Sequence, residues 1–163
     1  TNSLTKTFTI RPETMASAVI TGCKAKYSYT GKQVKPLIQV VWNGKILRNN
    51  TDYTLLYKNN KKRGSAGIVV TGKGNYSGTL TASFTIVRAS VKKASVTGLK
   101  AVYARTGKAV KPKVTVKLGG KKLKKKRDYI LSYRKNKKKG TALLYVKGVG
   151  NYSGTKKMKF KIR

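Results

Sequence analysis

The sequence has no histidine, and Glu13, Asp52 and Asp128 are its only acidic residues. Without histidine there is no imidazole to act as general base or metal ligand. Asp52 and Asp128 are equivalent residues in two copies of one repeat, so neither copy holds the carboxylate pair that glycoside hydrolysis generally needs. No Gly-x-x-x-x-Gly-Lys-Ser/Thr run is present, which excludes the usual phosphate loop. No enzyme activity, metal or cofactor is therefore expected. Cys23 is the only cysteine, so no internal disulfide can form. Its counterpart in the other copy is Leu99, which favours a small apolar role over a reactive one. No stretch is long and apolar enough to span a membrane, and the first residues do not read as a signal peptide.

What the chain has in abundance is positive charge. Its 39 lysines and arginines give a net charge of +36 over 163 residues, where a small domain ordinarily carries about 2–8. Self-repulsion at this charge destabilises a compact state, and a polyanionic partner would offset it. Disorder is the competing reading of extreme charge. Against it, 39% of the residues are apolar and fall in strand-like runs between turn signals.

The sequence also repeats itself. A shift of 76 residues brings Lys35-Pro36 onto Lys111-Pro112, Asp52-Tyr53 onto Asp128-Tyr129, and Asn75-Tyr76-Ser77-Gly78-Thr79 onto Asn151-Tyr152-Ser153-Gly154-Thr155. Roughly half the aligned positions are identical, a self-similarity that precedes any other reading of the fold. Leu4, Phe8 and Ile10 keep the same register with Leu80, Phe84 and Ile86. Residues 1–10 are thus expected to be the last strand of a preceding repeat and 11–16 a linker. Residues 17–87 form the first repeat and 88–163 the second, within a longer multidomain array.

Each repeat reads as strands. Val114, Val116 and Leu118 alternate with Lys113, Thr115 and Lys117, and Ile38, Val40 and Trp42 hold the same inward slots. Asn43-Gly44 and Gly119-Gly120 follow, pairs suited to a tight hairpin needing positive φ. No stretch keeps a helical period. Six or seven short strands per repeat predict an all-β fold, two small β-sandwiches. The alternative is a β-grasp-like sheet, for which no crossing helix is evident.

The pattern Tyr27-x-x-Thr-Gly-Lys-x-Val-Lys-Pro36, Asn43-Gly-Lys, Asp52-Tyr-x-x-x-Tyr57, Gly64-x-Ala and Gly72-Lys-Gly-Asn-Tyr-Ser-Gly-Thr79 resembles tandem Ig-like repeats of bacterial, Gram-positive cell-surface proteins. The second copy keeps most of it, from Tyr103 to Thr155. The resemblance implies an extracellular, cell-surface or cell-wall β-rich module acting as spacer, wall attachment or adhesin, with no catalytic residues. The charge departs from it, because repeats of this look carry more acids.

The excess charge has an address. Residues 88–163 hold 26 of the basic side chains and residues 1–87 hold 13. In the last strand, Thr81, Ser83 and Thr85 become Lys157, Lys159 and Lys161 while Phe84 and Ile86 persist as Phe160 and Ile162. Alternate residues share a strand face, so these lysines form one outward row at about 7 Å intervals. Residues 45–51 become Lys121, Lys122, Leu123, Lys124, Lys125, Lys126 and Arg127. Residues 58–63 become Arg134, Lys135, Asn136, Lys137, Lys138 and Lys139. That second loop is already basic in the first copy, through Lys61, Lys62 and Arg63. These residues are the candidate polyanion contacts.

Mostly lysine, the surface favours delocalised attraction to a repeating anion over bidentate recognition. An anionic cell-wall polymer of the teichoic-acid kind is the first candidate partner. Nucleic acid or a sulfated glycan is the second, and a passive spacer beside a catalytic module the third. Tyr53 and Tyr129 recur at fold positions and are expected to be structural, as is Trp42. Asp52 and Asp128 are expected to accept backbone amide hydrogen bonds at a turn. A buried salt bridge, or a carboxylate assisting a Lys–Asn isopeptide bond, are the other readings.

Overall fold

A computed structural model describes Leu4 and residues 6–163. The protein is all-β, and no α-helix occurs among the described residues. The first copy contains β1 (Glu13–Thr14), β2 (Val19–Thr21), β3 (Lys26–Ser28), β4 (Gln39–Trp42), β5 (Lys45–Leu47), β6 (Tyr53–Lys58), β7 (Gly64–Gly72), β8 (Tyr76–Ser77) and β9 (Thr79–Val87). The second contains β10 (Ala89–Ser90), a 3-10 turn at Val91–Lys93, β11 (Ser95–Thr97), β12 (Val102–Tyr103), β13 (Thr115–Leu118), β14 (Lys121–Lys122), β15 (Tyr129–Arg134), β16 (Gly140–Gly148), β17 (Tyr152–Ser153) and β18 (Thr155–Ile162). Two compact units result. One groups Gln33–Asn60 and Gly64–Ile86 with the chain up to Tyr27; the other groups Ser28–Lys32, Lys61–Arg63 and Val87–Arg163.

Each copy builds a three-stranded and a four-stranded sheet, ordered β2-β4-β5 and β3-β9-β7-β6 in the first and β11-β13-β14 and β12-β18-β16-β15 in the second. In the second unit, Val116 of the small sheet and Leu144, Val146, Phe160 and Ile162 of the large one bury into one cluster, consistent with a β-sandwich. The ten buried pairs Met15/Val91, Val40/Val116, Leu47/Leu123, Tyr53/Tyr129, Ala66/Ala142, Ile68/Leu144, Val70/Val146, Tyr76/Tyr152, Phe84/Phe160 and Ile86/Ile162 all keep the 76-residue offset. A shift of one residue would turn each strand's apolar set outward, so burial on one face fixes the register.

The hairpin turns are as expected. Asn43-Gly44 and Gly119-Gly120 both have positive φ and join β4 to β5 and β13 to β14. Gly148 is needed for closeness rather than dihedral freedom. A Cβ there would lie 2.7 Å from the Ser153 amide nitrogen, where the chain folds back from β16 into β17.

At the start of the chain the first repeat reaches further than expected. Residues 13–15, read as linker, belong to the first repeat. β1 pairs in parallel with β8, Glu13 to Tyr76 and Thr14 to Ser77, and Met15 is fully buried. β10 repeats this pairing on β17, with Val91 in the place of Met15. Two-residue parallel bridges leave no alternation to read, so the sequence pattern passed over them. The strand expected over 1–10 falls partly on residues 1–3 and 5, which lie outside the described set, and Leu4 and residues 6–10 join no ladder. Leu4, Phe8 and Ile10 are exposed. A last strand takes its ladder from a neighbour such as β7, and a strand without a partner leaves its backbone groups to water.

Candidate polyanion-binding face

The four-stranded sheet of the second unit buries one face and exposes the other. On β18, Phe160 and Ile162 are buried while Lys157, Lys159 and Lys161 are exposed. Ladder partners place the outward residues of β16 beside them: Tyr145 opposite Lys157, Leu143 opposite Lys159 and Thr141 opposite Lys161. On the other flank of β16 stand Ser132 opposite Tyr145, Arg134 opposite Leu143 and Ile130 opposite Lys147. Directly opposed side chains lie about 5 Å apart at Cβ and diagonal ones about 7–8 Å, so Arg134, Lys147, Lys157, Lys159 and Lys161 form one cationic field. The equivalent face in the first unit carries Lys58, with Thr, Ser, Leu, Val and Gly at the remaining positions of the same ladders.

The β15–β16 loop extends this field. Lys135, Asn136, Lys137, Lys138, Lys139 and Thr141 line an open depression of about 490 Å³, and Thr141 is the ladder partner of Lys161. The structure thus brings together two of the basic groups read from the sequence, Arg134–Lys139 and the β18 row. The third group is placed elsewhere. Lys121 and Lys122 form β14, on the three-stranded sheet. Lys124, Lys125, Lys126 and Arg127 precede Tyr129, at the end of β15 away from the Arg134 loop, about 17 Å along the strand. Lys61, Lys62 and Arg63, in the turn between β6 and β7, group with the second unit.

One lysine of the second copy has an inward task. Lys156, in the slot of Leu80, donates from Nζ to the Ala94 carbonyl at 2.6 Å.

Two lysines occupy a strained backbone. Lys126 and Lys135 have φ of 71° and 54°, and their equivalents are Asn50 at 68° and Asn59 at 53°. Asparagine tolerates the left-handed region because its short side chain can bond locally, whereas other L-residues there cost roughly 1–2 kcal/mol. The second copy therefore carries lysine where the fold prefers asparagine. Lys126→Asn and Lys135→Asn should each stabilise the second unit, by several tenths to about 1 kcal/mol. Denaturant unfolding tests this against Lys125→Asn, which removes the same charge from a position without positive φ. Equal gains at all three sites would assign the effect to charge alone.

The aspartates anchor the basic hairpin. Asp128 is buried and accepts the Lys124 amide at 2.8 Å and Arg127 Nε and Nη2, each at 2.9 Å. Asp52 accepts the Arg48 amide at 2.7 Å and faces Arg48 Nε at 3.5 Å. The bond from Arg127 holds the Asp128 carboxyl below the usual carboxylate range, aided by the Lys124 amide and opposed by burial. At Asp52 the Arg48 amide is the main cause of the same lowering. A depressed folded-state pKa contributes stability that is present above the unfolded value, about 3.9, and is lost as pH falls through the folded one. Acid should therefore destabilise the second unit below about pH 4, and Asp128→Asn should flatten that dependence in pH-resolved denaturation. Equal acid sensitivity of both proteins would remove Asp128 as its source.

Comparison with protein-family models, curated proteins and solved structures finds no match.

The aromatic residues divide into two sets. Tyr133 donates to the Pro112 carbonyl at 2.7 Å. Tyr103 packs edge-on to Phe160 with centroids 5.3 Å apart and accepts the Lys100 amide. Tyr53 and Tyr129 are buried. Trp42 donates to the Thr14 carbonyl at 3.0 Å and packs edge-on against Tyr76. Burial, a backbone hydrogen bond or edge-on packing ties each of these rings into the fold. Tyr145 is different: it lies half-buried on the outer face, with the Arg134 guanidinium 5.9 Å from its ring centre. The sequence reading passed over it, although the signal was available. Val69 stands at its place in the first copy, while the other tyrosines of the second copy all repeat a tyrosine of the first. Cys23 is partly buried, and burial pushes its thiol up, away from the reactive thiolate. Among the described residues no helix is long and apolar enough to cross a membrane.

Proposed function

We propose that this chain is a non-catalytic, extracellular repeat module of a bacterial surface protein, built on Ig-like repeats. It binds anionic polymers of the cell envelope through the lysine-rich outer face of its second unit. The observation that carries this reading is the contrast between two faces on one scaffold. The buried positions keep their apolar character at the 76-residue offset, while Thr81, Ser83 and Thr85 have become Lys157, Lys159 and Lys161. Solubility alone asks for charge, not for charge of one sign. Interspersed acids would serve and would reduce self-repulsion. The strained Lys126 and Lys135 point the same way, since a stability-driven sequence would retain asparagine. Retention of the chain on purified cell wall, with release by salt, is the expected result. Equal retention on wall stripped of its anionic polymers would overturn the envelope assignment.

A further inference from the structure

We infer that the outer face of the β12-β18-β16-β15 sheet is a binding platform for single-stranded nucleic acid, with Tyr145 as the residue on which a base stacks. The inference rests on the reading of this face as a polyanion surface and adds to the envelope polymer a second polyanion that the same face would hold. Lysines alone would attract any polyanion. Tyr145 adds a flat π-surface in the middle of the cationic field, with Lys157 across the ladder on one side, Arg134 diagonal on the other and Lys147 two residues along its own strand.

An aromatic ring flanked by backbone-tracking cations is the arrangement that holds single strands without sequence preference. Ser132, Arg134, Tyr145, Lys147 and Thr155 line an open depression of about 230 Å³. That is below the roughly 300–1,000 Å³ of small-molecule pockets, and suits one ring of a longer polymer. Arg134, whose guanidinium lies over the Tyr145 ring 5.9 Å from its centre, is a second planar cation on the same ring face, able to stack on an incoming base or to bind its phosphate. A duplex buries its base faces in its own stack and would use only the cations. The first unit lacks the arrangement, with Val69 for Tyr145, Thr71 for Lys147 and Thr81 for Lys157.

The test titrates the full chain with an oligothymidylate single strand, a duplex of equal charge, and heparin, using the wild type, Tyr145→Val and Tyr145→Phe. Valine is the first copy's own residue there, so the substitution suits the fold. The single strand should bind more tightly than the duplex. Tyr145→Val should weaken single-strand binding roughly 5- to 150-fold, the range for one stacked base, Tyr145→Phe should retain it, and heparin binding should be unchanged. Unaltered single-strand binding by Tyr145→Val would overturn the platform while leaving the polyanion reading intact. A loss confined to heparin would overturn it in favour of a sulfated glycan. Failure of the wild type to bind any of the three would overturn the platform; retention on anionic cell wall in the same buffer would keep the polyanion reading, and failure there too would overturn both.

Discussion

Exchanging Lys157, Lys159 and Lys161 for the Thr, Ser and Thr of the first copy should weaken binding of a single-stranded polyanion roughly 100-fold near 0.1 M salt. The magnitude follows from counterion release: each phosphate contact to a single strand contributes about 0.7 to the slope of log K against log salt. Losing three contacts lowers that slope by about 2 and, near 0.1 M, the affinity by about two decades. The affected residues lie on the exposed side of β18, and their backbone pairing with β16 does not depend on the side chain. The exchanged protein should therefore fold, and with less charge repulsion it should be no less stable. A salt series measured by fluorescence anisotropy on both proteins gives the slope and the affinity together. An unchanged slope would show that bound polymer does not run along this row.

Phe160→Ala should have the opposite character. Phe160 is 2% exposed and meets Tyr103 edge-on, in a core that also holds Leu144 and Val146. Truncating a buried phenylalanine costs about 3–5 kcal/mol. A domain of about 75 residues has only about 4–11 kcal/mol of stability in total, so the variant should lose a large part of its cooperative transition in thermal or denaturant unfolding. Polyanion binding measured under native conditions should then decline with the folded fraction, while the residual folded protein keeps the wild-type salt slope. The paired experiments separate scaffold from surface: one residue of β18 removes the fold, and its neighbours at odd positions remove the binding. A Phe160→Ala protein as stable as the wild type would contradict the single buried core.

The core of each copy was legible in the sequence because burial enforces a period. Val40/Val116, Phe84/Phe160 and Ile86/Ile162 follow the two-residue alternation of a half-buried strand and recur at the 76-residue offset. Positive φ at Gly44 and Gly120 was legible for a similar reason, since the residue type itself records the constraint. β1 and β10 were not legible. Each is two residues long and pairs with a chain segment some 63 positions away, and nothing local marks such a partner. The lysines were visible as candidates, but their grouping was not. The run at Lys121–Arg127 and the row at Lys157–Lys161 look alike in sequence, yet Lys121–Lys122 belong to the small sheet, Lys124–Arg127 lie in the chain leading into β15, and the row belongs to β18 of the large sheet.

By itself the sequence determined that this is a duplicated β scaffold whose inward residues keep their apolar character while one copy is recast in lysine. Those are properties of periodicity and composition, which the chain carries residue by residue. Only the tertiary structure decided which cations share a face and that Tyr145 stands among them. Neighbourhood across a sheet is set by strand order and register, β15 beside β16 beside β18, and those arise from hydrogen bonds between segments far apart in the chain.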